Sequence, residues 1–244
     1  MPGVRTSFTQ LDFALVFGTG RDEWISLDLR TGKLNWRFPA PSSGDHCYEN
    51  STPDTDGVSV VVVAHNLMLY GLDGTGRKVW QKLARAAVST NPFVYKDVEY
   101  FGSANRHVYG VNPATGEQLA DLPVQAAPVR GFIWGGENDA EEIFFFGLIE
   151  KGGQERHLLL AYSDEFEREF WSSGSNTTWT SGVPMAWRDE VIAGNCQGAI
   201  TAYRALDGAL RWDGHVAGCV KGITHDDSEL YIAVRKGVVY AYKP

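Results

Sequence analysis

Three cysteines, six histidines and two close pairs of aspartates are the residues of this 244-residue chain whose chemistry could reach beyond packing. Thiolates and imidazoles ligate zinc when they converge at short spacings, and carboxylate and amide oxygens ligate calcium. Cys47, Cys196 and Cys219 are far apart and form no Cys-x-x-Cys. They read as reduced, small, half-buried side chains. His46, His65, His107, His157, His215 and His225 are scattered without paired-His spacing, as surface histidines are. Asp54 with Asp56, and Asp226 with Asp227, stand where turns carry Asp. The Gly-x-Ser-x-Gly nucleophile turn and the Gly-x-x-x-x-Gly-Lys-Ser/Thr phosphate loop are absent. Gly18-Thr19-Gly20 has the Gly-x-Gly spacing, but it opens a strand-to-strand turn where a dinucleotide site needs a helix N-terminus. These residues predict no catalytic group, no metal and no cofactor.

The elements that carry them are strands. Gly (27 residues) and aromatics (12%) are abundant and long helical patterns are missing, which favours many short strands with tight turns. One signature recurs: an apolar run with an aromatic, a Thr-Gly-like turn, then Trp or Leu. It runs from Trp24 through Thr31-Gly32 to Trp36, from Met68 through Thr75-Gly76 to Trp80, and from His107 through Thr115-Gly116 to Leu119. A stretched copy spans His157 to Trp171, another runs from Ile200 through Asp207-Gly208 to Trp212, and a truncated one ends the chain at Val238 to Pro244. Between copies lies a second strand ending in a small residue, as in Ala14 to Gly18, Val60 to Ala64, Val98 to Gly102, Ile143 to Gly147, Val191 to Gly194 and Leu230 to Ala233. Gly in the turn accepts the positive φ of a short hairpin. A period of roughly forty residues with several strands per unit points to a β-propeller blade.

Charge and hydropathy limit the partners. The formal charge is −8 and no run of Lys or Arg exists, so nucleic acid is not an expected partner. The longest apolar stretches, Val58 to Ala64 and Ile143 to Ile149, are of strand length and far below a membrane span. Met1-Pro2-Gly3-Val4-Arg5 leads into mixed polar sequence without an apolar leader, so a cytoplasmic location is expected.

The segment from Val98-Glu99-Tyr100-Phe101-Gly102-Ser103 through His107-Val108-Tyr109-Gly110-Val111-Asn112-Pro113-Ala114-Thr115-Gly116-Glu117 resembles the repeat of the PQQ-like quinoprotein propellers. So do Leu27-Asp28 through Thr31-Gly32-Lys33 to Trp36, and Ala202-Tyr203 through Asp207-Gly208 to Trp212. The resemblance covers nearly the whole chain. It implies an all-β fold, a single β-propeller domain over 1–244 with about six four-stranded blades. Their expected spans are 4–38, 45–83, 86–122, 125–171, 174–212 and 215–244, the last blade being three-stranded or completed by the N-terminus. The fourth unit departs most, with insertions around 135–139 and 150–155. The family includes pyrroloquinoline-quinone dehydrogenases and many non-catalytic scaffolds. In its cofactor-using members the quinone is clamped by a Trp floor, adjacent cysteines, a calcium ion and a catalytic Asp. This chain has no Cys-Cys pair, which implies a non-catalytic member without cofactor or metal.

Propellers bind through the central funnel and the loops around it. Pro92 and Pro184 stand at the same distance before Gly102 and Gly194. Carried across the units, that register brings Arg5, Asn50, Ser89, Arg130, Ser181 and Lys221 near one ring, as funnel-lining residues suited to an acidic peptide tail or small anion. A second surface is expected on the connections 42–50, 132–136 and 175–180, where Tyr48, Trp134 and Trp179 stand among small polar residues as partner-binding anchors. The preferred expectation is a non-catalytic scaffold for a protein or peptide partner. The alternatives are a small-ligand or quinone-dependent oxidoreductase-like propeller, and a regulatory or sensor subunit of a multi-protein bacterial system. Oligomeric state stays open.

Overall fold

The computed structural model describes residues 8–19, 23–39, 53–55, 57, 59–63, 68–84, 88, 90–135, 142–151, 154–163, 166–175, 184–235 and 237–243. Among them every regular element is a β-strand, and no helix is long and apolar enough to cross a membrane. The strands fall into two compact units, Met1–Pro123 and Val124–Pro244.

The first unit holds three four-stranded antiparallel sheets. They are β1 (Thr9–Leu11), β2 (Ala14–Gly18), β3 (Glu23–Asp28) and β4 (Leu34–Pro39); β5 (Asp54–Thr55), β6 (Ser59–Val63), β7 (Met68–Asp73) and β8 (Lys78–Leu83); and β9 (Phe93–Tyr95), β10 (Val98–Ser103), β11 (His107–Val111) and β12 (Gln118–Pro123). Each sheet is ordered as it runs in sequence, and the first strands β1, β5 and β9 are successive neighbours. The second unit repeats the plan with β13 (Ala127–Gly135), β14 (Glu142–Lys151), β15 (Gln154–Ser163) and β16 (Glu169–Ser175), then β17 (Met185–Trp187), β18 (Glu190–Gly194), β19 (Ala199–Arg204) and β20 (Leu210–His215). Its last sheet has three strands, β21 (Val220–His225), β22 (Leu230–Val234) and β23 (Val238–Tyr242). Here β13, β17 and β21 are the successive neighbours. An N-terminal strand completing the last sheet falls on residues outside those described.

Within each unit the core lies in layers between consecutive sheets. Leu11, Val16 and Trp24 of the first sheet pack on Tyr70 and Leu72 of the second. Leu69 and Trp80 pack on Phe101, Tyr109 and Val111 of the third. In the second unit Leu159 and Trp171 meet Val191 and Tyr203, while Ile192 and Ile200 meet Val220, Leu230 and Ile232. Burying one face of a sheet on the next is the mutual support that sequence repetition demands.

The signature Trp is the stitch between blades. Trp36 donates its indole Nε1–H to the Gly74 carbonyl at 3.0 Å, Trp80 to Pro113 at 2.7 Å and Trp171 to Ala205 at 2.6 Å. In each case the acceptor lies in the Thr-Gly-type turn of the following sheet, and the ring covers the turn glycine. A Cβ on Gly116 would stand 2.6 Å from the Trp80 ring, and Gly116 has φ +72°. Glycine is thus required there twice, for the left-handed backbone and for the space. Trp212 departs from the pattern: its Nε1–H goes to Glu190 at 2.9 Å within its own sheet, and its ring stacks on Tyr242 at 5.3 Å. Among the described residues, the pairing of third with fourth strand slips before the turn in each four-stranded sheet, at Ser26/Leu27, Gly71/Leu72, Gly110/Val111, Ala161/Tyr162 and Ala202/Tyr203. A bulge placed so regularly is a built feature of the repeat.

The expected insertion at 150–155 is a lengthened hairpin. It extends β14 and β15 to 10 residues each, paired out to Lys151 and Gln154. The expected insertion at 135–139 lies mostly outside the described residues.

Candidate functional site

Antiparallel order gives every sheet two ends. The start of the first strand, the end of the second, the start of the third and the end of the fourth lie together, and the Thr-Gly-type turns lie at the other end. In the second unit the first end gathers the lengthened β14–β15 hairpin, the turn 195–198 between β18 and β19, and the entry into β21.

Two of the predicted funnel residues are on first strands here, Arg130 on β13 and Lys221 on β21, with β17 between those strands. Both sit where pairing with the second strand breaks. The register of β13 against β14 slips between Val129 and Phe132, and that of β21 against β22 slips between Val220 and Gly222. A bulge leaves its residue out of the ladder pairing. Lys221 is exposed, and no hydrogen bond or ion pair reaches it among the described residues. Arg5, Asn50, Ser89 and Ser181 lie outside the described residues, as do Tyr48 and Trp179 of the expected loop surface. Trp134 is corrected in its setting: 132–135 belongs to β13, where Trp134 pairs with Ile143 rather than standing in a connection. A run of Phe-Ile-Trp favours a strand even beside glycines.

The turn 195–198 is organised by Asn195, which is 1% exposed. Its Oδ1 accepts from the Gln197 and Ala199 amides, both at 3.0 Å, and its carbonyl accepts from Val220 N–H at 3.1 Å. This turn is therefore tied to the entry of β21. Cys196 and Cys219 are joined there by a disulfide, which corrects the expectation of reduced thiols for these two; Cys47 lies outside the described residues. Spacing alone hid the pair. The blade register carries the signal, because the turn after a second strand faces the entry of the next first strand.

At the opposite end the acidic residues build turns. Asp28 Oδ1 accepts from Thr31 Oγ1 at 2.9 Å and from the Thr31 and Arg30 amides. The Thr31 hydroxyl, ahead of the amides, holds its carboxyl below the usual range. The Thr75 hydroxyl likewise holds Asp73 down to about 2. Arg204 holds Asp207 to about 2, and the Tyr231 hydroxyl depresses Asp226 further. Tyr231 is pushed up to about 12 in return, chiefly by Asp226. Asp226 thus caps a turn, as expected. Asp54 is corrected: it lies on strand β5, where its Oδ2 accepts from Val94 N–H of β9 at 2.9 Å. Burial pushes its pKa up against the pull of that bond. Sequence reasoning also passed over Glu99, a carboxylate fully buried in β10.

Three histidines make contacts at or near the surface. His107 Nδ1 meets Asp121 at 2.6 Å, His215 Nε2 meets the Gln197 carbonyl, and His225 Nδ1 meets the Asp226 carbonyl. Among the described residues no group of three or more His, Cys, Asp or Glu could hold a metal ion. The cysteine pair joins a turn to a strand entry and forms no adjacent-residue ring. The described residues do not fit the quinone and calcium of the quinoprotein resemblance.

The family profile described as outer membrane protein assembly factor BamB matches residues 8–139 and 156–244. Among solved structures, BamB from Moraxella catarrhalis superposes with a TM-score of 0.67 at 16% identity, over 99% of this chain and 83% of that one. The computationally designed Ika8 protein superposes with a TM-score of 0.71 at 16% identity, over 99% of this chain and 71% of that one. These likenesses make the fold a β-propeller of the quinoprotein type. No curated protein sequence matches the chain.

Proposed function

The chain belongs to the family described as outer membrane protein assembly factor BamB, and on that premise we propose that it is a non-catalytic propeller scaffold whose partner is a protein or peptide. The six sheets are read as the blades of one domain, the last three-stranded. The partner-facing surface is the end of the second unit where β13 and β21 begin, with Arg130 and Lys221 as its basic contacts.

The observation that carries this reading is Lys221: an exposed ammonium with no described partner, on a bulged first strand of a chain whose net charge is −8. Lys243, by contrast, is paired with Glu229 at 2.8 Å. An unpaired lysine at a bulge is suited to an incoming carboxylate. A family named for assembling proteins supports a polypeptide partner, and an acidic segment is the class this residue would take.

The experiment is a binding titration of a fluorescein-labelled Asp/Glu-rich peptide. Lys221→Glu and Arg130→Glu are each expected to weaken binding by roughly tenfold or more, while Lys243→Glu at the other end leaves it unchanged. Equal effects at all three positions would reduce the interaction to bulk charge and refute the site.

A further inference from the structure

We propose that Cys196 and Cys219 form a reversible redox site, a dithiol–disulfide pair that exchanges with small-molecule thiols and disulfides and governs the order of the entry into β21. The bond joins the β18–β19 turn of one sheet to the linker that opens the next, over a sequence separation of 23. Cys196 is exposed and Cys219 half-buried, so an external sulfur can reach the pair without any opening of the core.

The seam beneath is held independently of the bond. Val216 N–H donates to the Gly198 carbonyl at 2.9 Å, Val220 N–H to Asn195 at 3.1 Å and Arg235 N–H to Cys219 at 2.8 Å. His215 Nε2 meets the Gln197 carbonyl at 2.9 Å. Under these lies the apolar layer of Ile192, Ile200, Val216 and Val220. The bond lies on a seam that hydrogen bonds and burial also close. It can therefore open and reform without unfolding.

The chemistry balances with a disulfide such as oxidised glutathione as the oxidant. One cysteine thiolate attacks an external sulfur and expels one glutathione thiolate. The second cysteine thiolate then attacks the mixed disulfide and expels the other. Two electrons pass from the cysteine pair to the external disulfide, and the two protons lost by the cysteines end on the two glutathione thiols. In a reducing compartment the pair stands open; in an oxidising one it is closed.

Opening acts on the linker. Gly218 (φ +137°) and Gly222, whose Cβ position is open, flank Cys219, Val220 and Lys221. Glycines on both sides ease the backbone here, so cutting the covalent tie loosens Cys219 and Lys221 about the buried Val220 anchor without releasing the seam. The consequence for Lys221 rests on the peptide-binding reading above; the redox chemistry does not.

The test uses the full chain in a Cys47→Ser background, equilibrated in mixtures of reduced and oxidised glutathione. Free thiols are alkylated and counted by mass spectrometry, and amide exchange is followed by peptide. Oxidised mixtures are expected to give one bond, mapped to Cys196–Cys219, that reductant reverses fully with the far-UV spectrum unchanged. Reduction, and separately the Cys196→Ser/Cys219→Ser variant, should raise exchange at 219–222 at least tenfold, leave β14–β15 as it was, and lower Tm by roughly 5–10 °C. Two thiols still free in the oxidised mixture would overturn the proposal. So would reduction that unfolds the chain, or exchange at 219–222 that does not respond. Acidic-peptide affinity measured in both redox states separates the two readings. If exchange responds and affinity does not, only the link to Lys221 falls.

Discussion

At the scale of single residues, the same side chain does different work according to what its polar atom meets. Trp24 and Trp80 are both buried in inter-sheet layers. The Trp80 indole N–H reaches the Pro113 carbonyl, whereas that of Trp24 has no acceptor among the described residues. Both Trp→Phe changes lose ring volume, but only Trp80→Phe also strands a carbonyl. Urea unfolding should place Trp80→Phe about 1 kcal/mol below Trp24→Phe; equal costs would remove the hydrogen bond from the account. Asp73 carries the pH dependence of its turn. Its carboxyl is held at about 2, below the ordinary 3.8, first by the Thr75 hydroxyl. A depressed folded value stabilises the fold above the unfolded pKa and loses that contribution as pH falls through the folded one. The unfolding midpoint should therefore drop between about pH 4 and pH 2. Asp73→Asn, which keeps one acceptor oxygen, should flatten part of that limb in a Tm-versus-pH series. Sequence reasoning could place Asp73 beside a turn because Asp-Gly-Thr-Gly has one favoured geometry. It could not see that Asp54 is half-buried on a strand, since that depends on β9 lying alongside β5.

At the scale of the element, the Thr-Gly turn is legible in sequence because its requirement is local. Gly32, Gly76, Gly116 and Gly208 all take positive φ, between +67° and +81°. What sequence does not reveal is which of these glycines also supports a neighbouring sheet. Nothing stands within 4 Å of a Cβ built on Gly32, while one on Gly116 would enter the Trp80 ring. Gly32→Ala should cost about 1 kcal/mol, from backbone conformation alone. Gly116→Ala adds the displacement of a buried indole and should cost about 2–4 kcal/mol. Thermal unfolding of the two variants side by side reads the difference, and equal losses would mean that the Trp does not dock rigidly. The stretched fourth repeat shows how the rule bends. Its turn has no described glycine; Phe166 takes φ +56° and is 2% exposed, so burial of the ring offsets a backbone that glycine would adopt more easily. The bulges at Arg130 and Lys221 left no mark in sequence, because a single extra residue in a ladder is indistinguishable from ordinary strand until its partner is known.

At the scale of the whole molecule, repetition made the fold readable and the site obscure. Most of the signature's Trp, Gly and Asp residues have structural duties that recur, Trp212 excepted, so periodicity marks out the strands and their hairpins. The residues expected to bind are those that fail to repeat, and most of them lie on connections, where the repeat gives no register. Charge is the one global property that still constrains them. A chain at −8 repels an acidic partner at long range, while Lys221 attracts it only on close approach. Salt shortens the reach of the first effect more than the second, the Debye length falling from about 30 Å at 0.01 M to about 8 Å at 0.15 M. Association of the acidic peptide should therefore speed up as salt rises over that range, the reverse of a steered encounter. Its dissociation should respond less to salt and rise several-fold in Lys221→Gln. Stopped-flow anisotropy separates the two rates. An association rate that falls with salt would mean that a basic surface larger than Arg130 and Lys221 governs the encounter, and the partner-facing end would have to be redrawn around it.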